Sequence, residues 1–268
     1  MTFSIVRALG LVTVQDLGRH GRMHEAVPPG GALVAERLIA ANRAVDNPDD
    51  APALEVLGQL AIRAERPLRV ATDVTAPRAV PAGGELTVAS EPRRVTYLAV
   101  RGGIAAPLVL GGRGALLCAG LGGLVRAGHR LLTAELPEVG DAERPPAPAA
   151  GAAPDAPDVP IRLIAGPDFD HFAPGALDLL VSSDYRVLPS SDRVGTRIDG
   201  PALPRTAVPE VSRPMVIGAI EVPPDGKPIV LGPEHPTTGG YPVIAVVARA
   251  DLGRLFSIRL GSTVRFTR

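Results

Sequence analysis

The sequence has no net charge and almost no cysteine, two features that would otherwise point to a class of partner or to a cellular compartment. Its 28 Lys and Arg residues balance its 28 Asp and Glu residues over a length of 268, so no net charge attracts nucleic acid or an anionic membrane. Its single cysteine, Cys118, excludes an internal disulfide and is expected to be a small buried hydrophobe. No basic and apolar leader precedes Val6, so we expect a location in the reducing cytoplasm.

The common catalytic motifs are also missing. The chain has no Gly-x-x-x-x-Gly-Lys-Ser/Thr phosphate loop, no Gly-x-Ser-x-Gly nucleophile turn and no glycine cluster in a strand-to-helix unit. His20 and His24 are four residues apart, but the glycine and proline around them disfavour a helix that would place both rings on one face. We therefore expect no metal site, and nucleotide-loop and esterase chemistry are set aside.

One segment has the length of a membrane span. Between Ala105 and Val125 the only charge is Arg113. Each of the six glycines in this segment would weaken a helix by about 1 kcal/mol relative to Ala, and a central arginine adds roughly 3 kcal/mol in a bilayer. The segment is therefore predicted to be a soluble, loop-rich β region.

Turn-forming residues are abundant, with 30 Gly and 29 Pro. They bound short runs of β-branched residues, such as 229–231 and 243–247, which is typical of strands. One amphipathic helix is predicted from Gly31 to Val45, and shorter helical turns from Gly175 to Val181 and from Ala250 to Phe256. The pattern predicts a mainly β, barrel-like protein with a few helices.

A compositional break divides the chain. Apart from Arg144 and Val159, residues 144–160 are all Pro, Ala, Gly or Asp, with almost nothing to bury, which predicts a linker between domains at 1–143 and 161–268. In each half an Asp, a Gly and an Arg precede a Val-Pro-Pro turn (Asp16, Gly18, Arg19 and 27–29; Asp192, Gly195, Arg197 and 222–224). This weak repeat fits two similar barrels.

The first group of candidate site residues lies on a tight turn. Gln15, Asp16, Arg19 and His20 offer an amide, a carboxylate, a guanidinium and an imidazole within the seven residues 15–21. Together they can hold and polarise a carboxylate, an amide or a phosphate. The alternative is an Asp16–Arg19 ion pair that only fixes the turn.

The second group lies in the last third of the chain. Thr237, Thr238, Gly239 and Gly240 offer two hydroxyls and successive backbone amides that can face an anion, with both glycines expected at positive φ. The alternative is a plain turn between strands. Lys227 and His235 flank the predicted strand 229–231 and are expected to reach one pocket as a charge donor and as an acid or base, although exposed edge residues give the same pattern.

These blocks resemble those of one family. Segments 13–19, 97–104, 191–195 and 218–242 are similar, in this order, to the biotin-dependent carboxyltransferase family. That family includes subunit 2 of the allophanate hydrolases, the C subunit of bacterial ATP-dependent 5-oxoprolinase, the sporulation-kinase inhibitor antagonist and the carboxyltransferase domain of urea carboxylase. The resemblance covers nearly the whole chain.

The resemblance implies two cyclophilin-like β-barrel domains, with strand exchange between them allowed, and a sister subunit of the kinase-inhibitor or allophanate hydrolase subunit 1 type. It implies the C subunit of a heteromeric 5-oxoprolinase-type hydrolase that acts on a cyclic amide, with ATP handled together with the sister subunit. The loop groups described above suit this chemistry, so we expect Asp16, Arg19, Lys227 and His235 to be the catalytic residues of one joint site. The expected substrate-binding residues are Gln15, His24, Asp192, Arg193, Thr237, Thr238, Gly239, Gly240 and Tyr241.

The chain also departs from the family pattern. Relatives commonly read Gln-Val-Pro, Gln-Pro-Ile and an Asp-Arg-Gln-Thr-like run where this chain has Glu221, Lys227 and 234–237, and segments 29–34 and 111–115 lack the usual carboxylate and Ser-Thr pair. Two alternatives stay open: a biotin-dependent carboxyltransferase acting on urea or a related amide, and a non-catalytic binding partner of a kinase-inhibitor-like sister subunit. The chain has no biotinyl Met-Lys motif and no ATP-grasp segment, so ATP, and biotin under the first alternative, must come with partners.

Overall fold

A computed structural model describes residues 2–136, 159–206 and 211–268. Within these residues the chain divides into two compact units, one formed by 2–20 and 29–136 and the other by 21–28, 159–206 and 211–268. Of the expected linker at 144–160, residues 144–158 lie outside the described residues. Segment 21–28 groups with the second unit, a detail that a division at residue 143 does not anticipate.

The first unit is built on seven strands and one helix. The strands are β1 (Thr2–Gln15), β2 (Ala53–Ala64), β3 (Leu68–Thr72), β4 (Arg78–Val80), β5 (Glu85–Ala89), β6 (Thr96–Val100) and β7 (Arg130–Leu132), and the helix is α1 (Ala35–Ala44). They form one sheet in the order β4-β3-β6-β2-β1-β7, with β5 paired with β2.

The long hairpin of β1 and β2 organises this unit. The two strands pair in antiparallel register from Phe3 opposite Ala64 to Gln15 opposite Ala53, with an irregularity between Ile5 and Arg7. The first part of β2 also pairs with β6 and its second part with β5, so the sheet curls around its buried face. That face carries a continuous apolar core with buried residues from β1 to β6 and with Leu131 of β7 packed against it, and each fully buried large side chain there contributes roughly 1.5–3 kcal/mol.

Helix α1 is shorter than the predicted 31–45 segment. The backbone N–H of Leu33 donates to Glu55 Oε2 at 2.7 Å, and that of Val34 donates to the Tyr97 hydroxyl at 2.9 Å. These tertiary bonds hold the preceding residues extended, so the first helical residue is Ala35. The prediction is right about the helix and wrong about its start, because the two partners that fix the start lie in β2 and β6.

The second unit is built on an eight-stranded sheet. Its strands are β8 (Ile161–Ala165), β9 (Tyr185–Val187), β10 (Gly195–Asp199), β12 (Ala219–Glu221), β13 (Ile229–Leu231), β15 (Val243–Val247), β16 (Thr263–Val264) and β17 (Phe266–Thr267), and their order is β16-β9-β10-β13-β12-β15-β8-β17. Two short strands outside this sheet, β11 (Arg213–Pro214) and β14 (Thr238–Gly239), pair with each other. The two edge strands, β16 and β17, are separated by Arg265 alone. Opposite edges of the sheet therefore meet, and the sheet is a nearly closed barrel.

Aromatic packing supports this closure. Tyr185 of β9 and Phe266 of β17 are both buried, and their rings meet edge to face with centroids 6.1 Å apart. Desolvation raises the pKa of the Tyr185 hydroxyl to about 12. The two short helices, α2 (Ala176–Ser182) and α3 (Leu252–Ser257), lie within two residues of the predicted bounds. The predicted fold class, mainly β and barrel-like with a few helices, is confirmed.

Two further expectations concern segment 105–125. The segment forms turns and isolated bridges, such as Val109 with Gly112, and no helix in the described ranges is long and apolar enough to cross a membrane. The prediction of a loop-rich β region is confirmed. The expectation that Cys118 is buried is wrong: it is exposed in a 3-10 turn, Leu117–Ala119, while the preceding Leu116 fills the interior.

Candidate functional site

Asp16 closes the turn that follows β1. Its side chain is buried, Oδ1 accepts the N–H of Gly18 at 2.8 Å and Oδ2 accepts the N–H of Arg113 at 2.5 Å. Its backbone carbonyl accepts the N–H of Ala32 at 2.8 Å. Asp16 thus holds three segments of the first unit together, and both of its carboxylate oxygens are engaged. We call residues 15–19 with segment 109–115 the Asp16 turn.

Arg19 is held by carbonyl oxygens and not by a carboxylate. Its guanidinium donates from Nε to Val109 O at 3.0 Å, and from Nη2 to Gly112 O at 3.3 Å and Gly114 O at 2.8 Å. The side chain is only 2% exposed, and its Nη1 has no hydrogen-bond partner among the described residues. The alternative interpretation, an Asp16–Arg19 ion pair, is not seen in this part of the chain, so a buried cation retains one free donor group.

Gln15 is the first residue of the Asp16 turn. Its Nε2 donates to Thr13 Oγ1 and to Ala115 O, both at 3.1 Å. A carbonyl only accepts, so the atom facing Ala115 must be the nitrogen, which fixes the orientation of the amide. The remaining Oε1 is buried without a partner within the described ranges. The Asp16 turn therefore contains one free donor and one free acceptor, both shielded from water.

Glycines give the opposing loop the space it needs. A Cβ on Gly114 would lie 2.7 Å from both Asp16 Oδ1 and Gln15 Oε1, and a Cβ on Gly112 would lie 2.7 Å from Arg19 Cγ. Any larger residue would have to displace these groups. Sequence reasoning missed that segment 109–115 supplies the partners of Asp16 and Arg19, although the glycine density at 111–114 was a signal for it.

A second arrangement forms in the second unit around the residues that follow β13. Asp192 Oδ1 accepts the N–H groups of Val194 at 2.9 Å and Gly195 at 3.0 Å, which fixes the turn before β10. Arg193 Nε donates to Glu234 Oε1 at 2.7 Å, and the two side chains are 2% and 3% exposed. We call residues 232–237 with 192–195 the His235 loop. Glu234 was not predicted, because no sequence pattern connects positions 193 and 234.

His235 is fully buried next to this ion pair. Its Nδ1 lies 2.8 Å from Pro236 O, so Nδ1 carries the proton and Nε2 presents a lone pair. Among the residues described, Nε2 has no hydrogen-bond partner. Desolvation is the main cause that lowers the pKa of His235 from its ordinary value of 6.5, so the ring is neutral at pH 7. A neutral imidazole with an open Nε2 is suited to accept a proton or a hydrogen bond.

Lys227 lies at the other end of β13. Its ammonium contacts Asp199 Oδ1 and Gly200 O, each at 2.7 Å, and it is 43% exposed. Its backbone N–H donates to Asp225 Oδ1 at 3.0 Å, which closes the turn before the strand. The ammonium is therefore already engaged, and its participation in a pocket with His235 stays a prediction.

The threonine and glycine segment is part of a small arm. Strand β11 pairs with β14, and the N–H of Met215 donates to Thr237 O at 3.0 Å. We call residues 211–215 and 237–239 the arm. The expectation of positive φ is wrong, since neither Gly239 nor Gly240 is in that region. Gly239 is instead required for space, because a Cβ there would lie 2.6 Å from Met215 Cε.

The remaining predicted residues are at the surface. Tyr241 is 38% exposed between the arm and β15. The His24 ring is exposed in a 3-10 turn, Met23–Glu25, with its Nε2 3.5 Å from Glu25 Oε1. The structure thus brings Gln15, Asp16 and Arg19 together, and separately Asp192, Arg193 and His235. That the predicted residues line one joint site stays a prediction.

Comparison with known proteins defines the class to which this fold and these loops belong. The family model described as carboxyltransferase domain, subdomain A and B, matches residues 25–268. The chain belongs to this carboxyltransferase-domain family, and solved structures share its mainly β, barrel-like fold.

The most similar relatives include the C subunit of 5-oxoprolinase from Escherichia coli, 34% identical over 98% of this chain and 89% of that protein. The corresponding 5-oxoprolinase C subunit of Haemophilus influenzae is 30% identical over 95% of this chain and 87% of that protein. Urea amidolyase of Lachancea kluyveri is 28% identical over 98% of this chain but only 17% of that protein.

Two solved structures share the fold. The crystal structure of TTHA0988 matches with a TM-score of 0.86 and 30% identity over 100% of this chain and 55% of that chain. The chain therefore spans about half the length of that structure. K. lactis urea amidolyase matches with a TM-score of 0.86 and 24% identity over 99% of this chain and 18% of that chain, a likeness that shows the fold alone.

Proposed function

We propose that this chain is the C subunit of a heteromeric, ATP-dependent hydrolase of the 5-oxoprolinase type that acts on a cyclic amide. The similarity to the E. coli 5-oxoprolinase C subunit carries the proposal, because it extends over 98% of this chain and 89% of that protein. The proposed partner is a sister subunit of the kinase-inhibitor or allophanate hydrolase subunit 1 type. The proposed location is the cytoplasm, where ATP is available to the complex.

The Asp16 turn supports an amide as the ligand. An amide offers one carbonyl acceptor and one N–H donor, which match the free Arg19 Nη1 and the free Gln15 Oε1. Both side chains reach Gly114, since Arg19 Nη2 donates to its carbonyl and a Cβ on Gly114 would lie 2.7 Å from Gln15 Oε1. A carboxylate offers only acceptors and would be repelled by Gln15 Oε1. In this role Arg19 stabilises negative charge on the amide oxygen, and Asp16 fixes the loop that presents it.

The His235 loop supports proton transfer. His235 is assigned as the base or hydrogen-bond acceptor through Nε2, with its tautomer set by Pro236 O. The Arg193–Glu234 ion pair and the Asp192 turn hold this loop in place. Thr237, Thr238, Gly239, Gly240 and Tyr241 remain proposed substrate contacts, as does His24.

Lys227 would have to leave its present partners before it could act in the chemistry, because Asp199 and Gly200 O already engage its ammonium. Lys227→Ala tests whether Lys227 takes part in turnover. Loss of substrate-stimulated turnover without unfolding keeps Lys227 in the site, whereas an unchanged rate removes it.

ATP enters the proposal as a co-substrate of the assembled complex. This chain has no phosphate-loop motif, so nucleotide binding is assigned to the complex with the sister subunit. The proposed roles of this chain's own residues are to bind and polarise the amide and to accept a proton.

A second candidate is biotin-dependent carboxyl transfer to urea or a related amide. It is favoured by the similarity to Lachancea kluyveri urea amidolyase, which extends over 98% of this chain. Biotin would be a requirement of this candidate alone. Urea presents the same carbonyl and N–H groups as a lactam, so the Asp16 turn suits either substrate.

Turnover by the purified complex separates the candidates. The chain and its sister subunit are co-purified, ATP hydrolysis is measured with 5-oxoproline, and transfer of the carboxyl group to urea is measured with a carrier whose biotin is already carboxylated. Stimulation of ATP hydrolysis by 5-oxoproline supports the proposal, and carboxylation of urea supports the second candidate. Tight association without either activity supports a non-catalytic binding partner.

The residue assignment is tested in the same assay. Arg19→Lys keeps the cation but loses the directed Nη1 donor, and it is expected to lower kcat/KM by about 100-fold. Arg113→Lys is the matched control, because Arg113 Nη1 is bonded to Ala106 O in the same loop and has no proposed contact with the ligand. Equal activity of the two variants would remove Arg19 from the site.

A further inference from the structure

The arm is a small structure with few bonds of its own. Its strands β11 and β14 pair through only two residues each, Arg213 opposite Gly239 and Pro214 opposite Thr238. Two-stranded ribbons of this length are not stable alone in water. Something else in the second unit must therefore hold the arm, and with it Thr237 and Thr238, in a fixed position.

Met215 anchors one end of the arm in an apolar cluster with Ala219, Leu231 and Val243, and a buried acid on the barrel holds the segment around Arg213. Asp168 is 1% exposed, and its Oδ1 lies 2.5 Å from Arg213 Nη1 in the arm. Arg213 and Asp168 therefore form an ion pair, but their atoms are not aligned for a hydrogen bond. The other basic group near this oxygen is the His171 ring, whose Nδ1 lies farther away at 3.8 Å.

The other oxygen of Asp168 is fixed to the barrel wall. Oδ2 accepts the N–H of Val243, the first residue of β15, at 3.0 Å, and the N–H of Asp168 donates to Val243 O at 3.2 Å. The acid is thus attached to the eight-stranded sheet on one side and to the arm on the other. Arg213 is 35% exposed, and its backbone pairs with β14 of the arm.

We propose that Asp168 is a positioning residue that holds the arm in its binding-competent place through Arg213. Asp168 does not contact the substrate; it acts through Arg213, whose backbone pairs with Gly239 next to Thr238. The inference rests on the proposed function in one respect, that the arm contacts the substrate. The attachment itself is independent of what the substrate is.

The expected loss of substrate affinity depends on how often the arm occupies its binding-competent place. If loss of the ion pair leaves the arm in place one-tenth of the time, the apparent affinity for substrate falls about tenfold, while chemistry in the occupied site is unchanged. The amide of Met215, bonded to Thr237 O inside the arm, should then exchange with solvent about tenfold faster.

The experiment uses Asp168→Asn and Arg213→Gln in the full chain complexed with its sister subunit. Each is expected to raise KM for 5-oxoproline about tenfold with kcat changed less than about threefold, and to speed exchange in 211–215 and 237–239 only. The double variant should resemble the single ones, and Arg213→Lys should restore part of the KM. Asp184→Asn is the matched control, since its ion pair with Arg265, at 2.6 Å, is exposed and distant in sequence from the arm.

Each outcome decides the inference. Unchanged exchange in the arm in both variants would overturn it, and so would faster exchange with an unchanged KM, because the arm would then be held but would not position substrate contacts. If Asp168→Asn fails to fold, Arg213→Gln carries the test, since Arg213 is partly exposed. Absence of 5-oxoproline-stimulated turnover in the unsubstituted complex would contradict the proposed function, and the exchange measurement would still decide the attachment.

Discussion

Arg193 and Glu234 form a buried ion pair, with Arg193 Nε 2.7 Å from Glu234 Oε1 and both side chains almost completely shielded from water. The N–H of Glu234 also donates to Arg193 O at 3.0 Å. The turn before β10 and the loop after β13 are therefore joined twice at the point where His235 enters the interior. A buried ion pair adds little net stability, because desolvation of the two charges offsets their attraction. Removing one partner is nevertheless strongly destabilising.

Replacing one partner of this pair should be costly. Glu234→Gln removes the carboxylate charge 2.7 Å from the buried Arg193 guanidinium, so we expect the free energy of unfolding to fall by roughly 3 kcal/mol. The measurement is urea denaturation followed by circular dichroism. Asp199→Asn, which breaks the exposed ion pair with Lys227, is the control and should leave the unfolding curve unchanged. Equal losses in the two variants would contradict the assignment of a buried, structural pair.

His235 should make stability depend on pH. Burial lowers its pKa in the folded state below 6.5, so the unfolded chain binds the proton more readily, and stability present above pH 6.5 is lost as the pH falls toward the folded pKa. His235→Gln removes this contribution, so its stability should decline less than that of the unsubstituted chain between about pH 7.5 and 5.5. His24→Gln, at an exposed ring, is the control and should follow the unsubstituted chain. Parallel curves for all three proteins would show that His235 is not shielded.

Gly114 should be intolerant of even a methyl group. A Cβ at 2.7 Å from Asp16 Oδ1 and Gln15 Oε1 forces the Asp16 turn apart, so Gly114→Ala is expected to cost about 2 kcal/mol and to abolish substrate-stimulated turnover. Gly123→Ala is the matched control, because no atom lies within 4 Å of its Cβ position and its φ is not positive. Thermal unfolding and the turnover assay check both, and normal activity of Gly114→Ala would mean that the turn is not as tight as described.

The sequence predicted the elements better than it predicted the contacts between them. Strands at 229–231 and 243–247 could be recognised because β-branched residues stand between turn formers. The start of α1 could not, because Glu55 and Tyr97, which fix it, are distant in sequence. The same reason hid Glu234 as the partner of Arg193.

In the candidate site, too, the sequence indicated the segments but not the contacts that their residues make. A glycine-rich Thr-Thr-Gly-Gly segment suggested positive φ, but glycine also serves where a neighbour leaves no space, and at Gly239 the neighbour is Met215. Residue types alone do not distinguish these two uses. The family resemblance is confirmed, whereas the atoms of Gln15, Arg19 and His235 that lack a hydrogen-bond partner among the described residues could be identified only from the structure.

Two glycines near the His235 loop should respond differently to alanine. A Cβ on Gly232 would lie 2.4 Å from the backbone oxygen of Arg193, which cannot move without disturbing the turn, so Gly232→Ala should cost about 3 kcal/mol. A Cβ on Gly239 would lie 2.6 Å from Met215 Cε and 3.3 Å from Met215 Cγ, and this flexible side chain can shift more easily than backbone, so Gly239→Ala should cost about 1 kcal/mol. Urea denaturation compares the two, and a larger loss for Gly239→Ala would contradict this account of the arm.

The most direct test of the proposed function is the formation of glutamate from 5-oxoproline by the reconstituted complex, measured with and without this chain. With ATP and the sister subunit present, together with any further subunit that the hydrolysis requires, glutamate should appear only when this chain is included. The rate should fall about 100-fold when the chain carries Arg19→Lys. Glutamate formation at the same rate without the chain, or none in its presence, would contradict its assignment as a subunit of a lactam hydrolase.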